Sequence, residues 1–139
     1  MDIDDIREWF QIADDDLYSA KALNELVRKP YEIICYHRAQ AIEKYLKGYL
    51  AYKEATFQKT HNLRYLVDLC IEFDNEFQNA TTLCDYINRF ANEIRYPDRV
   101  EVKIEDVNYS LSAVEKLKNI EPLKKLREII ENPDEIDKN

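Results

Sequence analysis

His37 and His61 are the only imidazoles in the 139-residue chain, and imidazole is the side chain whose ordinary titration lies nearest neutrality. His37 stands in "YHRAQAIEKYLKGYL" (Tyr36 to Leu50), which also carries Gln40, Glu43, Lys44 and Lys47, and His61 stands in "KTHNLRYL". Ammonium and imidazole N–H groups suit phosphate oxygens, so one chemistry open to these residues is the binding of an anion or nucleotide. No Ser, His and Asp arrangement, no HExxH and no glycine-rich phosphate loop occurs, so hydrolytic and P-loop chemistry is poorly supported. No catalytic residue, no metal ligand set and no cofactor is expected.

Helices must position these groups. One glycine and four prolines among 139 residues are too few for the turns of a sandwich or barrel, and the class read from composition is all-α. Segments are expected at about Ile3 to Arg28, Pro30 to Ala55, Leu63 to Glu76, Thr82 to Ile94, and Ile104 or Glu105 to Glu131, the last bending at Pro122. "NATT" offers a cap for the fourth, and "RYPDRVEVK" is a break, because residues ahead of a proline are biased away from helix. Short connections between such helices make an up-and-down bundle of four long helices plus a shorter one. One domain over 1–131 and a charged tail over 132–139 are expected.

At about 100° per residue the first helix buries Trp9, Ala13, Ala20, Leu23 and Val27. Asp16 falls inside that stripe and needs a cationic or multi-donor partner, while Asp14 and Asp15 rotate outward as solvated charge. The apolar arc of the second helix is Ile34, Cys35, Ala39, Ile42, Tyr45, Leu46, Tyr49 and Leu50. His37, Gln40, Lys44 and Lys47 lie on its other side, with Ala41 and Gly48 along the adjoining edge. A mid-helix glycine costs about 1 kcal/mol relative to alanine, so Gly48 is expected where another backbone or a ligand comes close. Three readings of this second face remain open: a solvated lysine row, a subunit interface through Ala41 and Gly48, or an anion site at that interface. For His61 capping or packing is favoured over catalysis.

The formal charge of −8 disfavours nonspecific capture of RNA or DNA, though a local basic patch could still meet a phosphate. Cys35, Cys70 and Cys84 are odd in number and lack CxxC spacing, which favours buried free thiols in a reducing compartment. With no basic, apolar opening and no long uncharged apolar run, a cytoplasmic location without membrane contact is expected.

"ADDDLYSA" (Ala13 to Ala20), "QAIEKYLK" (Gln40 to Lys47), "THNL" (Thr60 to Leu63) and "IRYP" (Ile94 to Pro97), in that order, resemble the HEPN domain family over about residues 5 to 120. The resemblance implies a helical bundle that dimerises and is often encoded beside a minimal nucleotidyltransferase. It also implies two kinds of function. Some members are metal-independent ribonucleases that act as toxins, using Arg, four to six residues, then His; others lack that motif and bind nucleotides or serve as partners, as in a toxin-antitoxin-like pair. Here no histidine follows His61, and if Arg95 stands at the arginine position, Val100, Glu101 and Val102 occupy the places of the histidine. Glu101 is a poorer base than imidazole near neutrality. The leading expectation is therefore a homodimeric nucleotide-binding partner whose site joins His37, Lys44, Lys47, Arg95 and Tyr96, supported by Asp16, Gln40, Glu43 and His61. A divergent ribonuclease and a purely structural homodimer are the alternatives.

Overall fold

The structure, a computed structural model, describes residues 2–91 and 101–133. Arg95 and Tyr96, the rest of the "RYPDRVEVK" break as far as Val100, and most of the expected tail lie outside those residues. Among the described residues there are six α-helices: α1 (Ile3–Asn24), α2 (Tyr31–Tyr52), α3 (Leu63–Phe73), α4 (Thr81–Ile87), α5 (Ile104–Lys118) and α6 (Glu121–Glu131). Two 3-10 turns, Asn75–Ala80 and Asn88–Phe90, complete them, and no strand is present among these residues. No helix is long and apolar enough to cross a membrane among the described residues.

The helix ends follow local chemistry, in places against expectation. Asp2 caps α1, its side chain accepting from the Asp4 backbone N–H at 2.9 Å, and Asp4 and Asp5 favour the positive end of the helix dipole. α1 closes at Asn24, where the Glu25 N–H folds back onto the Ala22 carbonyl. Val27 therefore lies past the helix and is fully exposed, and the expected stripe was also rotated, since Trp9 and Leu23 are only partly buried whereas Ile6 and Phe10 are buried. The buried positions of α1 are Ile6, Phe10, Ala13 and Ala20. α3 ends at Phe73, because the Asp74 side chain accepts from the Glu76 N–H at 2.9 Å and starts a new turn. "NATT" makes no side-chain cap: α4 begins at Thr81 with no such hydrogen bond, and Asn79 instead donates to Glu76. The last segment is two helices where one bent helix was expected. Ile120 is extended, and Pro122 sits in the first turn of α6, where a missing N–H costs nothing.

α2 is the axis of the bundle, packed by α1 along its length and by α3, α5 and α6 on its other sides. All eight residues of its expected apolar arc are buried. Cys35, Cys70 and Cys84 are buried free thiols, and burial pushes the Cys35 thiol up to about 11.

Candidate functional site

From Arg38 to Leu50 every residue of α2 except the partly buried Lys44 is buried, so its polar face is not a solvated lysine row. Arg38, Gln40, Glu43 and Lys47 are buried, and each must find a partner or impose a large desolvation cost. Glu43 is wholly inaccessible to solvent and is the centre of the arrangement. Its Oε2 accepts from Lys44 Nζ at 2.5 Å and from Lys47 Nζ at 3.2 Å, and its Oε1 meets His61 Nδ1 at 2.7 Å. An ionised carboxylate only accepts, so Nδ1 of His61 carries a proton, and Nε2 accepts in the neutral ring or donates in the imidazolium. The His61 side chain is 57% exposed, which puts that nitrogen at the protein surface.

Burial acting alone would raise the Glu43 carboxyl, but hydrogen bonds from Lys44 and His61 and the charges of Lys44 and Lys47 outweigh it and hold the group below its ordinary value. Lys47 also lies over the Trp9 ring, 5.9 Å from its centroid, a favourable placement for an ammonium group. Lys44 reaches Gln40 Oε1 at 3.4 Å, and Gln40 Nε2 donates to the Ala91 carbonyl at 3.2 Å. Ala91 is thus held against the same face of α2.

His61 does not cap α3. Asn62 does so, its side chain accepting from the Tyr65 N–H at 3.2 Å, and Thr60 Oγ1 accepts from the Asn62 N–H at 3.0 Å. These two bonds fix the loop that aims His61 at Glu43.

A second histidine–carboxylate pair lies between α1 and α2: His37 Nδ1 and Asp16 Oδ1 are 2.9 Å apart, with side-chain exposures of 27% and 18%. Asp16 therefore has the partner its position demanded. Burial raises its carboxyl above the ordinary value, with the His37 hydrogen bond opposing in part.

Ala41 and Gly48 are buried within the chain. A Cβ at Gly48 would lie 2.9 Å from Phe10 Cε1 and 3.2 Å from Trp9 Cβ, so the close approach its glycine permits is that of α1. The surface these two were expected to offer a second subunit is taken up by intramolecular packing.

Two groups were missed from the sequence. Asp14, read as solvated, accepts two parallel bonds from Arg127, at 2.7 and 2.9 Å, and the Tyr45 hydroxyl at 2.6 Å. Burial raises its carboxyl, but these donors together win and hold it low. Arg127 comes from the far end of the chain, so no local spacing could have paired them. Arg38 was passed over although at 100° per residue it falls inside the apolar arc, between Tyr45 and Tyr49; its side chain is buried and donates from Nη1 to the Val107 carbonyl at 2.6 Å and to Ser110 Oγ at 3.0 Å. Among the described residues no cluster of His, Cys, Asp and Glu could hold a metal ion.

An all-helical bundle whose central helix carries a buried carboxylate clasped by two lysines and a histidine defines the class. The family model for the HEPN domain matches residues 6–131, and the chain belongs to that family. Comparison with curated proteins and with solved structures gave no match. Two of the stretches that carry the resemblance, "QAIEKYLK" and "THNL", meet in space through the Glu43–His61 contact.

Proposed function

We propose that this HEPN-family chain is a nucleotide-binding partner subunit of a minimal nucleotidyltransferase, working as a homodimer, with phosphate oxygens held at Lys44, His61 and Arg95. The observation that carries this reading is the Glu43 cluster. Two lysines and an imidazole share one carboxylate, leaving positive charge in excess, and Lys44 spends two of its three N–H donors on Glu43 and Gln40. A donor set held by a buried acceptor needs little ordering when an anion arrives, which favours binding. Gln40 binds the Ala91 carbonyl on this face, and in this reading Arg95 would add a bidentate donor and Tyr96 a stacking surface. The dimer and the nucleotidyltransferase partner rest on the family resemblance.

Calorimetric titration with AMP and ATP tests the site. A Lys44→Ala, Arg95→Ala double variant should lose about tenfold or more in affinity, the scale of one or two charge-assisted hydrogen bonds. Unaltered affinity rejects the assignment.

A second reading, the divergent metal-independent ribonuclease, is favoured by one feature. His37 and His61 both face a carboxylate through Nδ1, the arrangement that orients an imidazole for proton transfer through Nε2. Incubation with total RNA in EDTA decides it: cleavage lost in Arg95→Ala and His37→Ala variants would establish a nuclease, and intact RNA would dismiss one.

A further inference from the structure

Burial of a charged side chain is tolerated when a counter-charge accompanies it. Glu43 and Lys47 obey that rule with each other and with Lys44, and the carboxylate of Asp106 is favoured by the nearby charges of Arg89 and Lys103. Arg38 does not. Its side chain is only 3% exposed, its hydrogen bonds go to a neutral carbonyl and a neutral hydroxyl, and no carboxylate among the described residues lies within ion-pair distance. Burial lowers the tendency of this guanidinium to hold its proton, yet arginine stays charged under any physiological condition. A buried, permanent cation is thus left without an anion.

Arg38 forms part of the wall of a cavity of about 780 Å³ between α1, α5 and α6, within the size range of small-molecule sites. Lys21 and Lys118 stand on the same wall, and neither is in an ion pair with a described residue. Asp14 also lines the cavity, but it is already neutralised by Arg127. Arg38, Lys21 and Lys118 remain against Glu115 and Glu131, one positive charge in excess. Asn24 adds one neutral polar side chain, and the rest of the lining is apolar: Leu17, Val114, and the exposed Leu111 and Tyr18 at the mouth. Around α2 this cavity and Glu43 are about 140° apart, five residues at 100° each, so the two sites are separate.

We propose that this cavity binds a small organic oxyanion, a phosphate monoester or carboxylic acid on a ring-sized apolar body, whose head group meets the Arg38 guanidinium and whose body lies along Leu17, Leu111 and Val114. Pairs of oxygens on a carboxylate or a phosphate suit the guanidinium fork, and a desolvated setting strengthens the contact. The apolar mouth selects against free inorganic anions.

The test is calorimetric titration of the full chain with phenyl phosphate, benzoate and inorganic phosphate. Saturable one-to-one binding of phenyl phosphate or benzoate is expected, with inorganic phosphate at least about tenfold weaker, because it lacks the apolar body. Whichever of the two organic probes binds more tightly identifies the head group as ester or acid. Arg38→Met, which conserves side-chain bulk, should weaken binding by about tenfold or more. If that variant does not fold, Leu111→Glu on the exposed mouth decides, since a carboxylate there should repel the probe several-fold without disturbing the core. Absence of saturation with both organic probes, or affinity unchanged in the variants that fold, overturns the proposal. A concentration-dependent dimer abolished by Leu111→Glu also overturns it, by making the mouth an interface between copies. Both variants lie outside the Glu43 cluster, so failure here is distinct from failure of the nucleotide site.

Discussion

Glu43 Oε1 and His61 Nδ1 lie 2.7 Å apart, and this contact joins the central helix to the loop that precedes α3. The carboxylate is buried and the imidazole is mostly exposed, so the pair runs from the core to the surface. A change at Glu43 should be felt as stability and a change at His61 as ligand affinity.

Glu43→Ala leaves two ammonium groups, Lys44 and Lys47, beside a hole. Removing one partner of a buried ion pair costs about 3–5 kcal/mol, and urea denaturation of this variant should show a loss of that order. A loss within about 0.5 kcal/mol, the range for ordinary surface changes, would mean that the lysines re-solvate freely. His61→Ala should cost less, because the carboxylate retains both lysines.

Acid should unfold the protein through Glu43 and Asp14. Both carboxyls are held below their ordinary values of 4.5 and 3.8, so their contribution is complete above those values and is lost as pH falls through the lower folded ones. Asp16 works in the opposite direction: its folded value lies above 3.8, and its contribution falls as pH rises through that window. Stability measured from neutral pH downward should therefore decline below about pH 4.5. The decline should be shallower in Glu43→Gln and steeper in Asp16→Asn.

Gly48→Ala sets two known effects against each other. Alanine gains about 1 kcal/mol in a helix interior, but the new Cβ would meet Phe10 at 2.9 Å and Trp9 Cβ at 3.2 Å. Phe10 has little freedom to yield, being edge-on to Tyr45 with ring centroids 5.2 Å apart and covered by the Arg127 guanidinium at 5.0 Å. Overpacking of this kind costs about 1–3 kcal/mol, and a net destabilisation in thermal melts is expected. Adding Phe10→Leu should recover part of it relative to the Phe10→Leu single variant.

The Asp14–Arg127 pair should couple measurably in a double-mutant cycle. The bidentate geometry favours a strong interaction, but the Asp14 side chain is 38% exposed, and solvent screening reduces the expected coupling to about 1 kcal/mol. The Tyr45→Phe change should lower that coupling, because the Tyr45 hydroxyl donates to the same carboxylate.

Much of this protein is set by periodicity and turn chemistry acting within a few residues. The all-helical class, the breaks near Pro30 and Thr60, and every buried position of the α2 apolar arc follow from 3.6-residue spacing and scarce glycine. The same local logic required a partner for Asp16 and a close neighbour for Gly48. It did not identify either one. Partners separated by a long stretch of chain are chosen when helices pack: His61 by the loop before α3, Arg127 by the course of α6, and Phe10 by the approach of α1. Solvation is decided at that level too. On a free helix Lys44, Lys47 and Arg38 would face water, and only the packing of the other helices around α2 turns two of them into clamps on Glu43 and leaves the third without an anion.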